Sequence, residues 1–262
     1  PAVLAFNNAN GLFADENLRL AVSYALDYDS FRTVFGSAYA SNPNRGFVPP
    51  VTVGYKETEA LGQDLTKAAQ CMADAGYTEK NADGFYVNAD GEVCAFTLTC
   101  NAGKEAHGGY AELVKTQLEQ FGIQVVLETL DGDSYNAKTS NKFSENNITM
   151  EAAIYGFTAA GMGMKNGLAS IYVDGAHPVQ GGCQVFDEDF QAILSAMGEA
   201  KTVEEYTAAA GSLQDWYAAH MPLIALYWDS QILVHNAAYE NFTVDAVFGL
   251  NNANTWFSIT AK

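Results

Sequence analysis

Positive charge is scarce in this sequence. Thirteen lysines and arginines stand against 31 aspartates and glutamates, which gives the 262 residues a net charge of −18 and a pI near 4.3. A surface of that sign repels phosphate backbones and anionic lipids, so nucleic acid and a membrane surface are not expected as partners. No apolar run approaches the roughly 20 residues that cross a bilayer. The chain starts at Pro1 without a signal peptide, and we expect it to be processed or trimmed.

Metal-ligating residues are few and dispersed. The four cysteines form no Cys-x-x-Cys pair and the four histidines stand singly, so a structural zinc site is not expected. If residues 94–100 form a strand, Cys94 and Cys100 lie about 20 Å apart, too far to bond each other. A disulfide from Cys71 to one of them is one hypothesis. The alternative is that all four, including Cys183, are buried free thiols.

Familiar catalytic and phosphate-binding motifs are also absent. The sequence contains neither a Gly-x-Ser-x-Gly elbow nor a P-loop. The segment at Asp131 resembles a calcium loop only faintly, since the twelfth position is Lys142, and the start of a helix is the better interpretation. Thirty-one carboxylates guarantee chance pairs, so a secreted carboxylate-dependent hydrolase stays an alternative without positive support. We expect no catalytic residue, no cofactor and no metal.

Helical and strand patterns alternate along the chain. Apolar residues recur at helical spacing after Asp15, Asp64 and Thr202, three residues that can cap a helix. A later helix is predicted to carry Phe186 and Phe190 on its buried face. The interleaving favours an α/β or mixed α+β class. The predicted strands span 3–7, 85–88, 93–100, 123–129 and 148–155, and the tail at 223–234 and 242–259 is predicted to be β.

Several segments, in the same order, resemble the family 5 extracellular solute-binding proteins, which are the oligopeptide, dipeptide and nickel receptors of ABC importers. The helix NLRLAVSYALD at 17–27 resembles the family pattern vRqAlsyAid, and KAAQCMADAGY at 67–77 resembles kAkqLLaeAGy. The remaining similar segments are LAFN at 4–7, VPP at 48–50, the strand from Gly91 onward, LEQFGIQV at 118–125 and the stretch 216–227.

The resemblance implies a receptor of the type II periplasmic-binding-protein fold and not an enzyme. Residues 1–221 would form its second, C-terminal lobe, and 222–262 a β-rich tail that returns to a first lobe absent from this chain. Roughly 250 upstream residues would then belong to the natural protein. Without that lobe, the first strand and the residues after 222 are expected to expose strand edges or to pair in a dimer.

The implied receptor is periplasmic or lipid-anchored on the outer face of the cell membrane. It would close by a hinge on a peptide or similar small solute and deliver it to an ABC permease. A receptor-like sensor domain is the alternative that keeps the same fold.

The resemblance also selects candidate ligand-binding residues. The family's ligand loop, gW..D, corresponds to residues 156–160, where its tryptophan is Phe157 and its aspartate is Ala160. In the peptide receptors this aspartate pairs with the peptide's amino terminus, and a buried ammonium without a counter-charge is costly. Either another acid serves here, or the ligand has no free amine. The candidate ligand-binding residues are Phe157, Thr158, Met162 and Met164 in this loop, and Asn44 and Arg45 in the proline-rich loop at 41–50.

Overall fold

Strands and helices interleave in the computed structural model, which describes residues 2–50, 52–140, 148–156, 165, 169–177, 181–230, 232–244 and 249–262. The strands are β1 (Ala2–Phe6), β2 (Glu79–Lys80), β3 (Tyr86–Val87), β4 (Ala95–Asn101), β5 (Gln124–Leu130), β6 (Ala152–Gly156), β7 (Leu223–Ala225), β8 (Tyr239–Glu240) and β9 (Thr260–Ala261). The helices are α1 (Glu16–Ala25), α2 (Tyr28–Phe35), α3 (Leu65–Asp74), α4 (Glu105–Phe121), α5 (Gly132–Thr139), α6 (Glu188–Glu199), α7 (Val203–His220) and α8 (Ala253–Ser258).

A mixed five-stranded sheet lies at the centre, in the order β5-β4-β6-β1-β7. Strand β4 runs parallel to β5 and β6, whereas β1 runs antiparallel to both β6 and β7. Helix α4 returns the chain from β4 to β5, as parallel neighbours require. The α/β class is therefore confirmed.

Strand β1 is buried on both faces and paired on both edges. Leu4 and Phe6 join a cluster with α1, α3 and α4, while Val3 and Ala5 join a second cluster with α6 and α7. A strand covered by helices on both faces is apolar throughout, which explains the run Ala-Val-Leu-Ala-Phe. The expectation of an exposed edge at the first strand is wrong, because this chain itself supplies β6 and β7 as its partners.

The predicted helix starts are confirmed, and each uses its side-chain cap. Asp15, Asp64 and Asp131 accept hydrogen bonds from backbone N–H groups two or three residues further along the chain. Thr202 and Glu205 form a reciprocal capping box at the start of α7. Asp131 is thus a helix cap, as preferred over a calcium ligand.

The strand predicted at 148–155 is shorter in the structure, since β6 begins only at Ala152. Ile148 and Met150 are buried as their alternation requires. However, the Asn7 side-chain amide donates to the carbonyl oxygens of both residues, at 3.4 and 3.1 Å. A side chain therefore occupies acceptors that a ladder would otherwise use.

Two further predictions are wrong. Phe186 precedes α6 and is 61% exposed, because Asp187 caps that helix and fixes its start one residue later. The tail is not β throughout, because Asn252 caps the short helix α8 by accepting from the Thr255 N–H at 3.0 Å. Both errors come from local side-chain caps that override an apolar pattern.

The proline-rich loop is attached to α1 through Arg45. Its guanidinium lies 4.0 Å from the centre of the Tyr24 ring, 3.3 Å from the Ser23 hydroxyl and 3.4 Å from a carboxylate oxygen of Glu59. The Arg45 side chain is only 5% exposed, whereas its partner Glu59 is 62% exposed. The loop is held in place by a buried cation.

The four cysteines are free thiols, so the hypothesis of a Cys71 disulfide is wrong in this structure. Cys94 and Cys100 point into the cluster beside α3 and α4, and Cys183 into the cluster beside α6 and α7. Burial raises the pKa of Cys94 and of Cys183 to about 12, because the thiolate would be desolvated. Cys71 is only partly buried.

The four thiols should therefore differ in their reactivity. We expect Cys71 of the folded chain to react with a disulfide reagent at pH 8, while Cys94, Cys100 and Cys183 stay protected because they are buried. In non-reducing denaturant all four should titrate. Finding only two reactive thiols under denaturing conditions would contradict the structure and restore the disulfide.

Replacing Arg45 should loosen the proline-rich loop. Arg45→Met keeps the aliphatic stem but removes the ion pair and the stacking on Tyr24, and we expect about 1–3 kcal/mol of lost stability. The matched control is Arg32→Met, whose exposed pair with Asp29 should be worth less than about 1 kcal/mol. Equal denaturant midpoints for the two variants would contradict the anchoring role of Arg45.

Candidate functional site

Three parallel strands end on the same side of the sheet. From here on, edge means this boundary beyond the last residues of the strands, and not the side of an outer strand. The carboxyl ends of β4, β5 and β6 meet there, and the register places Ala2 of β1 opposite Gly156 and Val3 opposite Ala225 of β7. The chain therefore begins its first strand and leaves its last central strand at this same edge. In open α/β sheets, ligands bind in the crevice outside the carboxyl ends of the strands.

Four of the candidate ligand-binding residues lie beyond the described part of the chain. Phe157, Thr158, Met162 and Met164 follow β6, whose last residue Gly156 stands at this edge. They stay a prediction.

Asn44 and Arg45 are neighbours in sequence, and the structure gives their side chains different surroundings. Arg45 packs on Tyr24 of α1. Asn44 lines a cleft of about 590 Å³, the proline-loop cleft, and its amide nitrogen donates to the Val48 carbonyl at 2.8 Å. The cleft is lined by Ser41, Asn42, Pro43, Asn44, Pro50, Tyr55, Glu57, Thr58, Glu59, Ala60 and Trp228.

The proline-loop cleft lies at the same edge of the sheet. Trp228 follows β7 by three residues and exchanges two backbone hydrogen bonds of 2.9 Å with Ser41. Ala225, at the end of β7, lies two strand spacings, or roughly 10 Å, across the sheet from β6, and Trp228 lies three residues beyond it. Strand β1 lies between β6 and β7 and pairs with both, so it fixes their separation.

Unsatisfied polar atoms are concentrated around this cleft. Among the described residues, five buried side-chain polar atoms have no hydrogen-bond partner, and three of them are Asn42 Oδ1, Asn44 Oδ1 and Trp228 Nε1. A buried donor or acceptor left unpaired costs about 1–3 kcal/mol. Native proteins keep such atoms rare, and three of the five belong to residues that line this cleft.

His107 is a residue at this edge that the sequence did not reveal. It lies in the first turn of α4, directly after β4, and is 8% exposed with its Nδ1 unpartnered. Its Nε2 lies 3.6 Å from where a β-carbon on Gly156 would be. Burial, followed by the charge of Lys104, lowers the pKa of His107 and favours the neutral ring. The sequence shows only a single histidine within a helical pattern, and this pattern does not indicate that the residue lies at the edge where the strands end.

Nothing in the described ranges resembles a metal centre, since no three His, Cys, Asp or Glu side chains converge there. No helix in those ranges is long and apolar enough to cross a membrane.

Known proteins share this architecture. The family model for bacterial extracellular solute-binding proteins, family 5 middle, matches residues 1–176. The oligopeptide-binding protein AppA of Bacillus subtilis is 28% identical over 133 residues, which are 49% of this chain and 24% of AppA. A protein described as the peptidoglycan-binding protein YepA of Agrobacterium fabrum is 24% identical over 261 residues, covering 86% of this chain and 41% of YepA.

Solved structures agree on the fold. AppA in complex with a nonapeptide superposes with a TM-score of 0.75 at 18% identity, covering all of this chain and 50% of that one. A mannohexaose-bound periplasmic oligopeptide-binding protein of Thermotoga maritima gives 0.76 at 16% identity, again over all of this chain and 52% of its own. NikZ of Campylobacter jejuni, in complex with Ni(L-His), gives 0.74 at 17%, with 51% of it covered.

The chain thus spans about half the length, or less, of the proteins that it matches. The type II periplasmic-binding-protein fold expected from the sequence is confirmed by these neighbours. Because the family model covers two thirds of the chain, this chain belongs to the family 5 bacterial extracellular solute-binding proteins.

Proposed function

We propose that this chain is the second lobe of an extracytoplasmic receptor that binds a peptide or a similar small solute and delivers it to an ABC importer. The observation that carries the proposal is the shared sheet edge, where β1 begins and the chain leaves after β7. A first lobe joined at these two points would face the carboxyl ends of β4, β5 and β6 across a crevice. Closing the crevice about a hinge would bury a solute between the lobes.

The tail supports the same arrangement. We propose that residues 222–262 return to the first lobe while 1–221 form the second. The start of this tail, β7, still belongs to the central sheet. Beyond Asp229, large apolar side chains are exposed, and we propose that they contact the first lobe. They are Ile232, Val234, Tyr239, Val244, Trp256 and Phe257, with Phe257 92% exposed.

The residues proposed to contact solute are those at the shared edge. Phe157, Thr158, Met162 and Met164 would come from the segment after Gly156, and Asn44 from the proline-loop cleft. Arg45 would contribute through the same loop, because its side chain attaches that loop to α1. The family description, extracellular, supports a place outside the cytoplasm. Within that compartment we propose the periplasm, or a lipid anchor on the outer face of the membrane.

The structural neighbours do not identify the chemical class of the solute, because their ligands differ. The neighbours named above are complexes with a nonapeptide, with mannohexaose and with Ni(L-His), on one shared fold. Since fold does not determine ligand, the class must come from the site itself.

A native mass spectrum of the gently purified whole protein tests the receptor proposal. We expect a complex whose added mass leaves intact and chemically unchanged after mild denaturation, since a receptor binds without turnover. Recovery of a cleaved or otherwise altered solute after incubation would contradict the proposal in favour of the hydrolase. Failure of the protein to bind peptides, sugars and metal chelates alike would also contradict it.

A further inference from the structure

We propose that the outer side of β5 is a surface for pairing with a second copy of this chain, and that Lys115 and Glu119 of α4 keep this surface closed. Strand β5 is an outermost strand of the central sheet, with β4 on one side and no described strand on the other. Such a strand presents a row of main-chain N–H and C=O groups to which another chain can bind. Of the five strands, β5 is the furthest from β7, so its outer side lies away from the proposed first lobe.

The hydrogen bonds to β4 show which residues of β5 turn their main chain outward. The Gln124 N–H donates to the Cys94 carbonyl at 2.9 Å, and the Leu130 carbonyl accepts from the Ala102 N–H at 2.7 Å. In a parallel ladder both main-chain groups of a residue face the same neighbour, and the direction alternates along the strand. The even-numbered residues from 124 to 130 therefore face β4. The residues that face outward are Val125, Leu127 and Thr129.

The outward groups of Val125 are already bound by two side chains of α4. Lys115 Nζ donates to the Val125 carbonyl at 2.6 Å, and the Val125 N–H donates to Glu119 Oε1 at 3.4 Å. The two side chains lie one helical turn apart and contact each other at 2.5 Å. They are only 32% and 29% exposed, so the pair lies against the sheet. Together they bind the N–H and the C=O of one residue, as a neighbouring strand would.

The outward groups further along β5 are open. In the part of the chain that the structure describes, the main-chain N–H and C=O groups of Leu127 and Thr129 have no partner. Val126 adds an apolar side chain that is 53% exposed. The outer side of β5 is thus closed at Val125 and open beyond it.

The exposed valine selects the register in which two copies would pair. An antiparallel pair of β5 strands centred on Val126 places this side chain against its copy, which removes both from water. The hydrogen-bonded pairs of that register join Val125 of each copy to Leu127 of the other. Each pair therefore needs the groups that Lys115 and Glu119 occupy. Binding of Val125 by α4 closes this register completely.

The registers that avoid Val125 are poor ones. Centring the pair on Glu128 places two carboxylates directly opposite each other, and like charges in such positions are destabilising. Shifting the centre further along runs out of strand, because Asp131 caps the helix α5 that follows at once. The register centred on Val126 is therefore the one that the closure must block.

Sedimentation of the whole protein at about 0.3 M salt, where the acidic surfaces of two copies are screened, tests the proposal. We expect the natural protein and Lys115→Arg, which keeps a cationic donor for the Val125 carbonyl, to be monomeric. Lys115→Met keeps the apolar stem but frees that carbonyl. It should dimerise with a dissociation constant lowered at least about tenfold, since each copy gains a hydrogen-bonding group for the other. Lys201→Met removes an exposed lysine elsewhere and should stay monomeric.

A second substitution locates the contact. Val126→Lys in the Lys115→Met protein should restore the monomer, because the new charges would lie opposite each other at the centre of the pair. The added lysine makes the chain less acidic, so a general change in repulsion between copies predicts the reverse. Hydrogen exchange should show residues 125–127 protected in the dimer and not in the restored monomer.

Thermal melts establish that each variant folds. If Lys115→Met does not fold, Glu119→Met, which frees the Val125 N–H, carries the same expectation. A folded variant that stays monomeric at the concentrations tested overturns the proposal. Association that survives Val126→Lys, or a natural protein that already pairs through residues 125–127, also overturns it. None of these results bears on the receptor proposal, which does not use the outer side of β5.

Discussion

The pairing of β1 between β6 and β7 is the constraint on which the rest of this lobe depends. It joins residues about 150 and 220 positions apart in sequence through two antiparallel ladders. Alternate β1 side chains enter the two hydrophobic clusters, so a single strand connects the core beneath α1, α3 and α4 with that beneath α6 and α7. Contacts of such long range carry the entropic cost of closing long loops, and completion of the sheet requires residues from distant parts of the chain.

The same pairing determines where a ligand can bind. Because β1 is antiparallel to its neighbours, its start lies at the edge where β4, β5 and β6 end. Trp228 reaches this edge through β7 and fastens the proline-rich loop by its bonds to Ser41. Unpaired atoms of Asn42, Asn44 and Trp228 gather there, and His107 lies at the start of α4 on the same side. The central sheet therefore has a well-packed interior and, at this edge, polar atoms without hydrogen-bond partners.

Much of the lobe follows from sequence, because its signals are local. The capping residues Asp15, Asp64, Asp131 and Thr202 predicted where helices begin, and alternation around Cys94 and Cys100 predicted β4. What failed depended on distant partners. The Asn7 amide takes the acceptors of Ile148 and Met150 across 140 positions, and no local pattern contains that bond. The double pairing of β1 is equally invisible in five apolar residues.

The candidate site is less predictable than the fold. The resemblance directed attention to the proline-rich loop, and Asn44 lines a cleft there, but nothing in the sequence separated its surroundings from those of Arg45. Glu57 and Trp228 stand 171 positions apart and line one cleft only because β7 returns beside β1. Burial and unpaired atoms distinguish a binding group from an ordinary loop residue, and both are properties of the folded chain.

Hydrogen exchange of the whole protein, with and without saturating solute, tests the location of the binding edge most directly. We predict added protection in residues 41–44, 101–104, 131–133 and 226–230, which lie where β4 and β5 end and where β7 leaves the sheet. Residues 7–10, 122–123 and 221–222, at the opposite edge, should exchange at unchanged rates. Protection confined to that opposite edge would contradict the account.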